Sequence, residues 1–202
     1  MPGLSSSSSD AQLIGASVSK PQSLATLFDR HAPAIWRYSC RRIGPGAADE
    51  VVSETFLRAF SRRAAYDLSV PDARSWLYGI ATNVIREHAR DEARRHRDIE
   101  RRRENDLVEG EFDRVEARAD AAAQVPATAA ALAHLEPVDR ETLLLYALTE
   151  LHYEQIAVAM EVPVGTVRSR LNRARRLMRD ELGLAETGMS ATSDVADEGK
   201  QR

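Results

Sequence analysis

The chain of 202 residues contains a single cysteine, Cys40. One thiol cannot close an internal disulfide and supplies neither a CxxC pair nor a zinc cluster, so Cys40 is expected in core packing. Lysine is nearly missing too: Lys20 and Lys200 are the only ones among 28 Lys+Arg, and every other cation in that set is arginine. Aromatic residues amount to 5%. No stretch approaches the roughly 18 to 20 consecutive apolar residues of a membrane-spanning helix. Residues 1–20 have no charged start leading into an apolar segment. Together these features point to a cytoplasmic chain with no membrane insertion. At 43% hydrophobic residues and a formal net charge of -3, it reads as one or two small soluble domains. A porin, a collagen and a wholly disordered protein are excluded.

Enzyme signatures are also missing. There is no HExxH, GxSxG, P-loop or Rossmann fingerprint and no nucleophile-base pairing. His88 and His96 are expected to decorate a charged helix rather than to hold a metal. The expectation is a protein that is not an enzyme and carries no cofactor and no metal.

What the sequence does have is segregated charge. Residues 162–179 carry six arginines and no acid, a local charge of +6, and residues 86–103 carry eight arginines against five acids. Between these blocks, residues 104–123 hold seven acids against Arg114 and Arg118. Arginine suits phosphate forks and base edges, and two basic blocks separated by an acidic one suggest a polyanion partner.

Apolar residues recur at helical spacing throughout, which predicts an all-α chain. Leu24, Leu27, Phe28 and Ile35 mark one helix, and Val51, Val52, Thr55, Phe56, Ala59 and Phe60 the next. The breaker Gly44-Pro45-Gly46 precedes it, placing Asp49 and Glu50 in its first turn, where the helix dipole favours acids. Residues 62–73 lack an apolar stripe and read as a loop. Trp76, Leu77, Ile80, Val84 and Ile85 then open a long helix to about Arg103, amphipathic at first and almost purely charged later; Trp76 falls on the core face. Further on, four short helices are marked by Leu132 and Leu135; Leu143, Leu144, Leu145 and Leu148; Ile156, Ala157 and Met160; and Val167, Leu171, Ala174 and Met178. Pro137 and Pro163 suit helix starts. The expected organisation is a disordered tail over 1–20, a first helical domain over 21–103, a flexible acidic linker over 104–126, a second domain over 127–182 and a disordered tail over 183–202. The second domain, at roughly 55 residues, should be marginal alone.

The last two helices, joined by a tight connection between Met160 and Val164, form a helix-turn-helix. In the final helix Val167, Leu171, Ala174 and Met178 define the buried stripe. The opposite face presents Arg168, Ser169, Asn172, Arg173 and Arg176, side chains that can pair with guanine and adenine edges in a major groove. Arg170 and Arg175 flank that face and suit phosphates.

The segment Leu151-His152-Tyr153-Glu154-Gln155-Ile156-Ala157, followed by Val162-Pro163-Val164-Gly165-Thr166-Val167-Arg168-Ser169-Arg170-Leu171-Asn172-Arg173-Ala174-Arg175-Arg176, resembles the fourth conserved region of bacterial extracytoplasmic-function (ECF) sigma factors. The first domain agrees independently. Asp49-Glu50-Val51-Val52-Ser53-Glu54-Thr55-Phe56-Leu57-Arg58-Ala59-Phe60 resembles the family's polymerase-binding helix. Ser75-Trp76-Leu77-Tyr78-Gly79-Ile80-Ala81-Thr82-Asn83 resembles the start of its promoter-melting helix. The likeness covers about residues 24–182. It implies a factor, monomeric when free, that binds core RNA polymerase and promoter DNA and is held by an anti-sigma factor. It assigns polymerase binding to Asp49, Glu50, Glu54, Thr55, Phe56 and Arg58. It assigns the melting of the minus-ten element and capture of a flipped base to the loop from Tyr66 to Ala73 and to Asn83, Arg86 and Arg90, and reading of the minus-thirty-five element to the final helix. Positions depart from the family pattern: Ser53 stands for a common glutamine, Gly79 and Thr82 for common arginines, and Glu150 and Glu161 for glycines in turns, which either avoid positive φ or carry strain. A stand-alone helix-turn-helix regulator would account for residues 151–179 but not for the first domain, and would normally need a two-fold dimer.

Overall fold

The computed structural model describes residues 8–105 and 124–183, which form eight α-helices and, among the described residues, no strand. α1 (Asp10–Ser17), α2 (Ser23–Ile43), α3 (Pro45–Arg62) and the first half of α4 (Arg74–Asn105) build the first unit; α5 (Gln124–His134), α6 (Pro137–Leu148), α7 (Tyr153–Met160) and α8 (Val164–Glu181) build the second.

Helix α1 overturns the expectation of a disordered tail over 1–20, of which residues 1–7 lie outside the described residues. A capping box starts it: Gln12 N donates to Ser9 Oγ and Ser9 N donates to Gln12 Oε1. This satisfies two N-terminal amides that would otherwise be orphaned. Leu13 and Ile14 are fully buried in the core, which fixes the helix against α2.

α2 ends at Gly44, whose φ of 83° belongs to the region glycine tolerates. α3 starts at once with Pro45 at its N-terminus. The early start corrects the placement of Asp49 and Glu50: they lie in the second turn, and the first turn of α3 holds no acid. The expected loop over 62–73 is shortened in the same way, since Arg62 ends α3 and a single 3-10 turn covers Arg63–Ala65. α4 buries Leu77, Tyr78, Ile80, Ala81, Val84 and Ile85, then runs with every side chain exposed from residue 89 to 99, as its charged second half requires. Of the expected linker over 104–126, residues 106–123 lie outside the described residues; its first two residues end α4 and its last three begin α5. The expected C-terminal tail lies, from residue 184, outside the described residues as well.

The two units share one core. Leu145, Leu151, Ile156, Ala157, Val167 and Leu171 belong to the same buried cluster as Ile35, Leu77, Ile80 and Val84, each large aliphatic contributing about 1.5–3 kcal/mol by leaving water. The seam is the crossing of α4 with α7. A Cβ on Gly79 would stand 2.6 Å from Ala159 O and 3.3 Å from its Cα, so glycine allows the helices to meet. Beside it, Thr82 is buried with Oγ1 3.0 Å from the Tyr38 hydroxyl. The two positions where family members commonly carry arginine are therefore interior here, where a guanidinium would lack solvent. Arg86 completes the seam: Nε donates to Glu141 Oε1 at 2.9 Å, and Nη2 pairs with Oε2. A second unit too small to be robust alone gains its missing burial from the first.

Candidate nucleic-acid and polymerase interfaces

The connection before α8 is tight because α7 ends at Glu161 in the left-handed conformation (φ 55°, ψ 44°), with its N–H donating back to α7 and Pro163 capping α8. The two suspected glycine-like turns thus divide: Glu161 adopts positive φ and Glu150 does not. Val167, Leu171 and Ala174 are fully buried, which turns Arg168, Ser169, Asn172, Arg173 and Arg176 outward and leaves Arg170 and Arg175 half-buried at the flanks. Arg168, Arg170 and Arg176 make no ion pair among the described residues. Arg173 differs, because its Nε and Nη2 donate to Asp139 Oδ2 and Oδ1 at 2.9 and 2.7 Å, so two of its donor atoms already brace α8 against α6. Arg175 is also engaged: it lies over the Tyr146 ring at 4.8 Å and reaches the Tyr153 hydroxyl.

The loop that precedes α4 is held in shape by its own groups. Tyr66 OH donates to Val70 O at 2.8 Å, Val70 N to Asp67 O, and Ser69 N to Asp67 Oδ1 at 2.9 Å. Burial first, then the nearby Asp10, Asp72 and Asp67, push the Tyr66 phenol up to about 12, so it is a standing donor. Its ring meets Trp76 at 4.9 Å, and Trp76 is half-buried against the core. Residues 67–71 are exposed. On α4, Asn83 and Arg90 are exposed, while Arg86, whose Nη1 also donates to Asn83, is tied to Glu141 of the second unit. In this arrangement the second unit covers part of the surface expected to meet the minus-ten element. A small cavity between the units is lined by Trp76, Gly79, Asn83, Val158 and Glu161.

The residues expected to face the polymerase separate by burial. Asp49 and Glu50 are exposed; Asp49 Oδ1 accepts from Trp36 Nε1 at 2.9 Å. Glu54 and Arg58 are paired at 2.6 Å, and Arg58 grips Glu87 of α4 with two further bonds. These bonds, Glu87 before Glu54, push the Arg58 guanidinium pKa up, and the same contact pulls the Glu87 carboxyl down. Thr55 and Phe56 are a correction. Thr55 is fully buried, and Phe56 is buried with its ring 4.8 Å from Phe28, so neither offers a docking surface. Both fall on the inward stripe with Val51 and Val52. Sequence reasoning missed Leu57, 60% exposed beside Glu50, Ser53 and Glu54, and Trp36 on α2. A leucine breaking the stripe of α3 was the available signal. Cys40 is half-buried, and His88 is half-buried rather than decorating an open charged surface, its Nε2 4.0 Å from Glu50. Among the described residues no cluster of three His, Cys, Asp or Glu could hold a metal, and no helix is long and apolar enough to cross a membrane.

A helix-turn-helix with an arginine-bearing outer face, packed on a second helical unit with an acidic, ion-paired face, defines a two-unit DNA-binding transcription factor. The Sigma-70 region 2 family matches residues 27–95, and the Sigma-70, region 4 family matches residues 127–178. The chain is 35% identical over 141 residues to the ECF RNA polymerase sigma factor SigC of Mycobacterium tuberculosis, covering 70% of this chain and 73% of that one. It is 32% identical over 187 residues to SigL of the same species, covering 86% and 98%. The chain belongs to the ECF sigma factors, which direct RNA polymerase to promoters. Its fold is shared with CnrH, solved in complex with the cytosolic domain of CnrY (TM-score 0.58, 22% identity, 86% of this chain and 97% of that chain). It is shared also with the sigma factor RpoE of Bartonella quintana, solved with the anti-sigma factor NepR (TM-score 0.56, 20% identity, 81% and 99%).

Proposed function

We propose that this chain binds core RNA polymerase through the exposed face of α3, opens the minus-ten element with its first unit and reads the minus-thirty-five element with α8. The observation that carries this is the outward face of α8, where Arg168, Asn172 and Arg176 stand exposed over a fully buried Val167-Leu171-Ala174 stripe. Arg168, Asn172 and Arg176 are placed for base edges, with Ser169 among them and Arg170 for phosphate. Arg173 and Arg175 serve first to set the pose of the helix. On the first unit, Asp49, Glu50, Glu54 and Arg58, with Leu57 at their centre, form the polymerase contact. Tyr66, Asn83, Arg86 and Arg90 face the opened strand, and RNA synthesis itself belongs to the polymerase. For Arg86 to reach DNA, Glu141 must release it, so polymerase binding and separation of the two units go together. An anti-sigma factor of the kind seen with the structural neighbours would act on this equilibrium.

Run-off transcription with purified core polymerase on a library of randomised promoters tests the reading. Transcripts that appear only when the chain is added, sharing two spaced sequence elements, are the expected result. Absence of both transcripts and comigration with core would sink it. A chain that bound promoter duplex as a dimer without polymerase would instead favour a stand-alone regulator.

A further inference from the structure

Helix α1 lies before the stretch matched by the region 2 family, which begins at residue 27, and no role has so far been attached to it. Its first residue, Asp10, is 4% exposed and the carboxylate is fully used. Oδ2 accepts from Ala73 N at 2.9 Å and lies 2.8 Å from His31 Nε2, while Oδ1 pairs with Arg30. Asp10 N and Ala11 N in turn donate to Pro71 O at 3.1 and 3.4 Å. The start of α1 therefore grips the loop at both Pro71 and Ala73, immediately before α4. At the other end of α1, Arg63 Nε reaches Ser17 O, and Leu68 of the loop lies against Gly15. A buried carboxylate is kept inside only when such donors compensate its lost hydration. Here the donors come from two places, the backbone of the loop and the side chains of α2.

The geometry points to Asp10 as a positioning residue that holds the loop over 66–73 in the conformation that captures a base of the minus-ten element. This rests on the proposed role of that loop. A site that discriminates by the fit of an extruded base needs its walls fixed beforehand, since a loop that must order on binding spends binding energy on its own entropy. Five exposed residues, 67–71, have no core of their own, and the bonds from Asp10 and Ala11 replace it at their C-terminal end.

The test assembles the full chain with core polymerase on a promoter selected by that holoenzyme, with 2-aminopurine in the minus-ten element. Three quantities are read: core affinity, opening rate, and the ratio of opening rates on the selected promoter and on one with a changed minus-ten base. Asp10→Asn keeps the shape but has one acceptor oxygen for three donors. It is expected to leave core affinity within about twofold and to lower the ratio roughly tenfold, the size expected for a hydrogen bond to a charged group. A general loss of fold would lower core affinity and the ratio together. In that event Ser9→Ala, which frays only the start of α1, decides: a fall of about threefold in the ratio supports the inference and an unchanged ratio overturns it. Tyr66→Ala separates the role of the loop from its positioning by Asp10. If it lowers the ratio and Asp10→Asn does not, positioning by Asp10 is wrong and the loop's role stands. If neither variant changes the ratio, the proposed role of the loop fails and the inference falls with it.

Discussion

In the first unit Arg58 is fixed between Glu54 and Glu87, Arg74 is held by Asp72 and Arg30 by Asp10, whereas α8 of the second carries Arg168, Arg170 and Arg176 without an ion pair among the described residues. Arg173, paired with Asp139, is the exception on α8, and the contrast fits the two kinds of partner proposed above. A protein surface is recognised by charges held in set directions, and a pre-formed network such as Glu54-Arg58-Glu87 supplies them. A phosphate backbone is met by cations that release counterions, which internal carboxylates would compete against. The cores differ as well. The first unit sets two ring pairs, Phe28 with Phe56 and Tyr38 with Tyr78, beside its aliphatics, while the second buries Leu145, Ile156 and Leu171, keeps its ring pair of Tyr146 and Tyr153 outside that buried set, and draws further burial from the face it presents to α4. The first unit should therefore hold together alone, and the second should lean on it.

Gly79→Leu breaks that dependence most directly. Its side chain would occupy the space of Ala159 at the crossing of α4 and α7, at a cost of about 1–3 kcal/mol for an overpacked contact. Small-angle scattering should report a larger particle, and hydrogen exchange should accelerate in α7 and α8 while α2 and α3 stay protected. An unchanged radius and uniform protection would mean that the units do not depend on this crossing.

A pH titration sharpens the comparison from the side of the first unit. Burial alone would raise the Asp10 carboxyl, but the bonds from His31, Ala73 N–H and Arg30 overcome it and bring it to about 2. With a folded value below the ordinary 3.8, Asp10 adds stability that is fully present above about pH 4 and is lost as the pH falls toward 2. Urea midpoints of the wild type should drop across that window, and Asp10→Asn should flatten the drop there. Parallel profiles for the two proteins would show that Asp10 is not the group responsible.

A smaller gain is expected from Thr55→Val. Thr55 Oγ1 is buried without a hydrogen-bond partner, so an isosteric apolar side chain should raise stability by about 1 kcal/mol. Because Thr55 is fully buried, core polymerase affinity should stay the same, and a fall in affinity without a loss of stability would return Thr55 to the docking surface.

These variants also mark where the sequence was legible. The outward face of α8 followed from the spacing of Val167, Leu171 and Ala174, because a strongly amphipathic helix has only one way to bury its stripe. The same logic on α3 already put Thr55 and Phe56 inside; their assignment to the polymerase surface came from the resemblance, which marks a helix but not which of its faces is free. α1 was lost in the serine-rich start, although Ser9-Asp10-Ala11-Gln12 carries the capping-box spacing that would have found it. Pairings such as Arg86 with Glu141 and Gly79 with Ala159 were out of reach, since no local period links residues 55 and 80 positions apart.

The smallest effect concerns the turn that aims α8. Glu161 is the one non-glycine residue at positive φ among those described, and an L side chain in the left-handed region costs about 1–2 kcal/mol relative to the right-handed one. Glycine removes that cost but gives up more entropy on folding, so Glu161→Gly should stabilise the second unit by only about 0.5–1 kcal/mol. Thermal unfolding of the full chain would register this as a rise of a few degrees. The backbone angles of the turn, and hence the direction of α8, would be unchanged, so selection of the upstream promoter element should not alter. A loss of stability would show instead that the Glu161 side chain, at the edge of the cavity lined by Trp76 and Asn83, contributes more to the seam between the units than its backbone strain removes.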